Sequence, residues 1–270
     1  MIPRAYINQW RNNVLWQEDE QVEQDLILSR ALVQIFSDDL LQKSLAFRGG
    51  TALHKLFNLE QKRYSEDIDL VVTHQGPMGL IFDAMQRQLN PWLGTPRRDL
   101  KRNRANLYYK YNPENSASEI RRIKVEINTE ESFSACGYES IIFRCDSPWF
   151  TGLADIKTFN LNELLGTKLR ALYQRKKGRD LFDIYWGIKH PLYSRDLLIN
   201  AFTKYMEHGG TVVSRAQFEE NLLLKIEDPT FRSDISSLLV SLDKFNINDA
   251  YTYVLDEIIK ALPGKPWKSR

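Results

Sequence analysis

Along Gln17–Asp38, apolar residues recur at Val22, Leu26, Ile27 and Leu32, which is helical spacing, and acidic residues occupy the first turn, where they favour the helix dipole. Beyond it the period shortens. "LAFRGGTALHKLF" predicts a short strand, two glycines and a helix. "DIDLVV" predicts a strand, and "PMGLIFDAMQRQLNPWL" a helix opened by proline. "RANLYYKY" and "IRRIKVEIN" are further strands, with a turn-rich "NPENSAS" between them. In the second, Ile123, Val125 and Ile127 share one face, and Arg122, Lys124 and Glu126 share the other. "DSPWFTGLADIKTFN" carries the last strand-like piece. From Asn162 the texture changes. "NELLGTKLRALYQRKKGRDLFDIYWGIKH" reads as two helices broken at Lys177-Gly178, and helical segments with short loops follow. The expected fold class is α/β (α+β). Residues 1–155 form a domain with a mixed sheet flanked by helices, and residues 156–270 form a helical domain.

The chain has 270 residues, room for one large domain or two ordinary ones. A net charge of +2 sets up no global field that demands nucleic acid, so any basic surface must be local. The two cysteines, Cys136 and Cys145, form no CxxC and have no His pair nearby, which argues against zinc and a disulfide framework and fits a reducing cytosol. The N-terminal stretch lacks the apolar core of a signal peptide, and no run approaches the roughly 20 apolar residues that span a bilayer. The expectation is a cytoplasmic protein with no membrane partner.

The candidate chemistry begins at "RYSEDIDLVV". Alternation puts Asp67 and Asp69 on one face of the strand, with Ile68 and Leu70 on the other. Two like charges so placed need a cation, and a divalent metal such as Mg²⁺, or Mn²⁺, takes oxygen ligands of this kind. The plainer account is a solvated strand end. Just upstream, Gly49, Gly50 and Thr51 turn a strand into a helix, offering backbone N–H groups to a phosphate, or simply a tight turn capped by Thr51. Glu126 supplies a third carboxylate on a polar strand face, unless Lys124 and Arg122 merely neutralise it there.

In "LNELLGTKLRALYQR", Lys168 falls in the apolar stripe of Leu161, Leu164, Leu165 and Leu172. Either it snorkels to water or it meets a negative partner such as a triphosphate. Arg175 shares its stripe, which favours the second account. A lysine kept there for function costs stability, so Lys168→Met is expected to be at least as stable as the parent. Arg63 is a partner for Asp67 or a triphosphate contact. Ser65 shares the face of Asp67 and Asp69, and is either a backbone-bonded hydroxyl or a place where a phosphate would inhibit. Arg179 and Asp183 stand at i,i+4 spacing. "RRDLKRNRANLYYKY" sets basic residues, among them Arg102, Arg104 and Lys110, beside tyrosines. With Arg175 and Lys176 these are candidates for an RNA surface. A solvated hairpin with inward aromatics explains the stretch equally well.

The order of glycine turn, DxD strand and later acidic strand resembles nucleotidyltransferases of the polymerase-β-like superfamily. More narrowly, "FRGGTALHKLFNLEQKRYSEDIDLVV", the strand "IKVEIN" and "KLRALYQRKKGRDLFDIYW" resemble the AbiEii/AbiGii toxins of bacterial toxin–antitoxin and phage-abortive systems. The likeness covers about residues 45–190. One departure is G-G-T where the superfamily has G-S, which moves the hydroxyl to Thr51. The resemblance implies a nucleoside triphosphate as substrate, transfer of the nucleoside monophosphate, and release of pyrophosphate. It implies metal at Asp67, Asp69 and Glu126. It implies nucleotide binding by Gly49, Gly50, Thr51, Arg63, Ser65 and Lys168, and Asp180 in the catalytic set with Lys168. It further implies tRNA, at its 3′ end, as acceptor, an arrest of translation and growth, and an antitoxin from a neighbouring gene. The alternatives are a protein hydroxyl as acceptor, or a regulatory module that binds a triphosphate without turning it over.

Overall fold

The computed structural model describes residues 2–60, 62–73, 76–115, 119–239 and 245–268. It divides into two compact units. The first comprises residues 1–56, 64–133 and 138–159, and the second comprises 57–63, 134–137 and 160–270. The helical unit therefore draws on two short segments, 57–63 and 134–137, from the N-terminal part of the sequence.

The first unit is built on one seven-stranded mixed sheet. Its strands are β1 (Leu45–Arg48), β2 (Asp67–Val72), β3 (Arg97–Lys101), β4 (Arg104–Tyr111), β5 (Arg121–Asn128), β6 (Tyr138–Ser147) and β7 (Phe150–Phe159), in the order β3-β4-β5-β2-β1-β7-β6. β2 runs parallel to β5 and antiparallel to β1, and β1 runs parallel to β7. Helices α1 (Arg4–Trp10), α2 (Asp19–Phe36), α3 (Asp39–Ser44), α4 (Gly49–Leu56) and α5 (Met78–Leu93) complete it. α2 packs on β6 and β7, and α5 packs on α2 and β4. The alternation expected of β2 and β5 is present: Ile68, Leu70, Ile123, Val125 and Ile127 are buried, while Asp67, Asp69, Lys124 and Glu126 are half-buried on the other face. Trp10 and Trp16 each donate an indole N–H to Asp25 at 3.0 Å, and this ties the N-terminal segment to α2.

Two strands lack a legible pattern. β3, "RRDLK", has no run of apolar residues and is held by pairing with β4. β6 is an edge strand whose partner β7 is the strand that the sequence did announce. Residues 116–118 of the expected turn lie outside the described residues.

The second unit is helical, with α6 (Leu161–Gln174), α7 (Gly178–Gly187), α8 (Arg195–His208), α9 (Arg215–Ile226), α10 (Pro229–Ser233) and α11 (Ile247–Glu257). The break between α6 and α7 falls at Arg175–Lys177, slightly ahead of the Lys177-Gly178 that the sequence suggests, and Gly178 opens α7. Asn160 caps α6 by accepting from the Asn162 N–H. Among the described residues, no helix is long and apolar enough to cross a membrane.

Candidate active site

β1 ends at Arg48 and α4 begins at Gly49, whose φ of +82° is left-handed. The backbone here passes so close to Asp69 that a Cβ on Gly49 would collide with that carboxylate. Glycine is thus required twice, by conformation and by space. The N-terminal N–H groups of α4, which lack partners within the helix, are presented beside β2. Thr51 is buried. Its hydroxyl donates to the Asp67 carbonyl at 2.5 Å and lies 2.8 Å from the Ser65 hydroxyl. The two hydroxyls stitch the glycine turn to the start of β2. Ser65 precedes that strand rather than extending its face.

The register of β2 with β5 sets Asp69 opposite Glu126 and Asp67 opposite Lys124. The three carboxylates share a sheet face. The Lys124 ammonium lies among them, 2.9 Å from Glu126 and 3.6 Å from Asp67. Burial lifts the Asp69 carboxyl above the ordinary carboxylate range, and the charge of Asp67 lifts it further. Burial also raises Asp67, while Lys124 pulls it the other way. Arg48 is the register partner of Asp69 and is itself paired with Glu131 at 2.7 Å.

These residues suit a divalent cation chemically. They are hard oxygen donors, crowded enough that their charges repel, and a cationic group already neutralises them. Asn106, opposite Glu126 in β4, is buried, and its Oδ1 has no hydrogen-bond partner among the described residues. Among the described residues, no group of three or more His, Cys, Asp or Glu side chains is gathered as a finished metal site. Lys124 supplies the balancing charge in this arrangement.

In the helical unit, Lys168, Asp180, Arg63 and Arg175 meet in one network. The Arg63 guanidinium donates to Asp183 through Nε and Nη2, both at 2.7 Å. Lys168 Nζ is 2.8 Å from Asp183 and 3.5 Å from Asp180. Arg175 is bidentate on Asp180 at 2.7 and 2.8 Å. Both aspartates are fully buried, and three cations face two carboxylates.

This network changes several expectations. Arg63 is engaged by Asp183, not by Asp67 as a strand neighbour would be. It is 4 % exposed, so its fork is spent on a carboxylate and is not open to a triphosphate. The i,i+4 pair of Arg179 with Asp183 does not form. Arg179 lies 3.7 Å from Asp234, because Asp183 points into the core while Arg179 stays partly exposed. Lys168 does not snorkel; it bridges two buried aspartates. A methionine would remove that bridge and leave each aspartate with its arginine alone, which argues against the expectation that methionine is tolerated there.

The basic stretch is a hairpin. Arg104, Asn106, Tyr108 and Lys110 lie on the face of β4 that continues from Lys124 and Glu126, and Arg102 is in the turn. Arg104 and Lys110 are exposed. Lys176, also exposed, pairs with Asp228 at 3.0 Å in the helical unit. Sequence reasoning passed over Arg48 and Asn106 and saw Lys124 only as a neutraliser. For Arg48 a signal existed, a cation directly before the Gly-Gly turn. For Asn106 there was none, because only the register with β5 sets it opposite Glu126.

The family model described as nucleotidyl transferase AbiEii toxin, type IV toxin–antitoxin system, matches residues 30–257. No curated protein sequence is similar enough to match. Among solved structures, the chain is similar to JHP933 from Helicobacter pylori, with 14 % identity and a TM-score of 0.55 over 90 % of this chain and 91 % of that one. It is similar to a putative nucleotidyltransferase from H. pylori, with 15 % identity and a TM-score of 0.56 over 89 % and 94 %. It is also similar to MenT4, a nucleotidyltransferase toxin from Mycobacterium tuberculosis, with 14 % identity and a TM-score of 0.52 over 94 % and 99 %. At these identities the structural likeness speaks for the fold.

Proposed function

Because the chain belongs to the AbiEii family of nucleotidyltransferase toxins of type IV toxin–antitoxin systems, we propose that it transfers a nucleoside monophosphate from a triphosphate to the 3′ end of an RNA, with tRNA as the acceptor and translation as the process arrested. The observation that carries this reading is the alignment of Asp67, Asp69 and Glu126 on one sheet face directly beside the Gly49 turn. Asp67 and Asp69 would hold Mg²⁺, or Mn²⁺, with Glu126 beside them, and a bound cation would neutralise charge that develops on the reacting oxygens.

The remaining work falls to the chain's own groups. Backbone N–H groups of Gly49, Gly50 and Thr51 bind the triphosphate, and the hydroxyls of Thr51 and Ser65 keep that turn in register with β2. A Glu126 oxygen receives the proton of the acceptor hydroxyl as the hydroxyl oxygen bonds to the α-phosphorus, and the bond from that phosphorus to the β-phosphate breaks to release pyrophosphate. The family resemblance adds Lys168 and Asp180 to the catalytic set, with Lys168 as a cation for the triphosphate. Arg102, Arg104 and Lys110 offer cations to the RNA backbone, and Arg175 and Lys176 are separate candidates in the helical unit. The antitoxin encoded with such a toxin counters this activity in the cytoplasm.

The test is incubation of the purified protein with each labelled triphosphate, Mg²⁺, total RNA and a protein extract. Label is expected on RNA and in the tRNA fraction, with none from Asp69→Asn. Label confined to protein overturns the acceptor assignment. Unchanged labelling by Asp69→Asn overturns the site.

A further inference from the structure

The sheet face that carries the carboxylates does not stop at Glu126. β4 pairs with β5 so that Tyr108 stands opposite Lys124, and β3 places Arg97 opposite Tyr108. The guanidiniums of Arg97 and Arg122 lie over the Tyr108 ring, each 5.3 Å from its centroid. A cleft of about 620 Å³ within this unit has Tyr108, Arg121, Arg122 and Lys124 in its lining, along with the carboxylates Glu66 and Asp67, Gln24 and Ile120. Ile120 is 65 % exposed although it is apolar.

Strand order assigns a side to this cleft. In the sequence β4-β5-β2-β1, the Gly49 turn lies on the β1 side of the carboxylates and Tyr108 lies on the β4 side. In-line transfer needs the attacking hydroxyl opposite the leaving pyrophosphate. A triphosphate seated at Gly49 thus leaves the β4 side for the acceptor. Tyr108 stands two strands from β2, about 10 Å, which is within reach of the residue behind the reacting hydroxyl. A base that takes the place of one guanidinium over the ring gains stacking, and the displaced cation is left beside it for a phosphate. Inside a duplex the base faces are covered and the 3′-terminal base is held to its partner, so an unpaired end fits such a platform better.

We propose that Tyr108, with Arg97 and Arg122 over its ring, is the platform on which a base of a single-stranded acceptor stacks just behind its reacting 3′ end. This rests on the RNA-acceptor reading above and narrows it to an unpaired terminus.

The test uses a short single-stranded RNA with a free 3′ hydroxyl and a 5′ fluorescein, and a blunt duplex of the same sequence. Binding is followed by anisotropy, and transfer by acceptor and triphosphate KM and kcat. Tyr108→Ala is expected to weaken single-strand binding and raise acceptor KM about tenfold or more, with kcat and triphosphate KM unchanged. Tyr108→Trp should restore both, and Arg122→Ala should lower the salt slope of binding by about one. The duplex should bind weakly to every variant. The platform is overturned if the parent labels the single strand and Tyr108→Ala uses it equally well. It is also overturned if triphosphate KM rises instead, which would make Tyr108 a contact for the donor. Where melting shows Tyr108→Ala unfolded, Arg122→Ala decides, and an unchanged salt slope overturns the platform. A parent that labels no RNA defeats the acceptor reading itself, and the platform with it.

Discussion

At the scale of single residues, Gly49 has the least freedom to change. Its positive φ costs an L-residue about 1–2 kcal/mol, and an added methyl would also displace the Asp69 carboxylate. Gly49→Ala should therefore lose stability by about 2 kcal/mol and lose nucleotide transfer together. Gly79, in the first turn of α5 with open space around it, is the control. Gly79→Ala should be neutral or gain up to about 1 kcal/mol with transfer intact. Thermal melts and transfer assays on the two variants check this. Equal effects from both would mean that the contact with Asp69 has no special weight.

At the scale of elements, α6 is finished by another helix. Its last carbonyls have no partner of their own, and Lys225 of α9 donates to those of Leu172 and, at 2.6 Å, Tyr173. Burial pushes the Lys225 ammonium down to about 8. The folded state thus releases a proton near pH 8 that the unfolded chain keeps to the ordinary lysine value of 10.5. In that window the unfolded state binds more protons, so this group's contribution to stability rises with pH from about 8 towards 10.5. Lys225→Met should cost about 1–3 kcal/mol by stranding two carbonyls. Its deficit relative to the parent should widen as pH rises through the window. Melting curves of the two proteins across that range check the sign, and a deficit that narrows would contradict it.

At the scale of the whole molecule, the helical unit is held by charges from distant parts of the sequence. Arg63 reaches Asp183 across 120 positions, and Lys168 joins Asp183 to Asp180. Removing one member leaves buried charge that has lost a partner, which costs about 3–5 kcal/mol when nothing else compensates. Each aspartate keeps an arginine, so Lys168→Met should lie near the lower end, about 3 kcal/mol. Denaturant unfolding checks the size. A methionine variant as stable as the parent would show the lysine to be dispensable to the fold and restore the simpler view that it is kept for activity alone.

The hydrophobic pattern by itself determined much of the frame. Alternation in "DIDLVV" and "IRRIKVEIN" set which side chains face the core. It thereby put Asp67, Asp69 and Glu126 on the faces that are left over, because a strand with period two has only two faces to offer. Helical periodicity located α2, α5, α6 and α7, and the Gly-Gly turn marked the start of α4. Tertiary structure decided the partners. That β2 lies parallel to β5 with Asp69 opposite Glu126 is a matter of register between strands more than fifty positions apart, and no local pattern encodes it. β3 became a strand through its neighbour and not through its own residues. Arg63, read as a companion of Asp67 four positions away, is engaged by Asp183, because segment 57–63 folds with the helical unit. Lys168 looked costly beside its leucines, and only the fold supplies the two buried carboxylates that it joins. Local sequence chooses conformation and facing, since those depend on neighbours along the chain. The pairing of buried charges depends on which distant segments share a core, and that was settled only when the chain closed on itself.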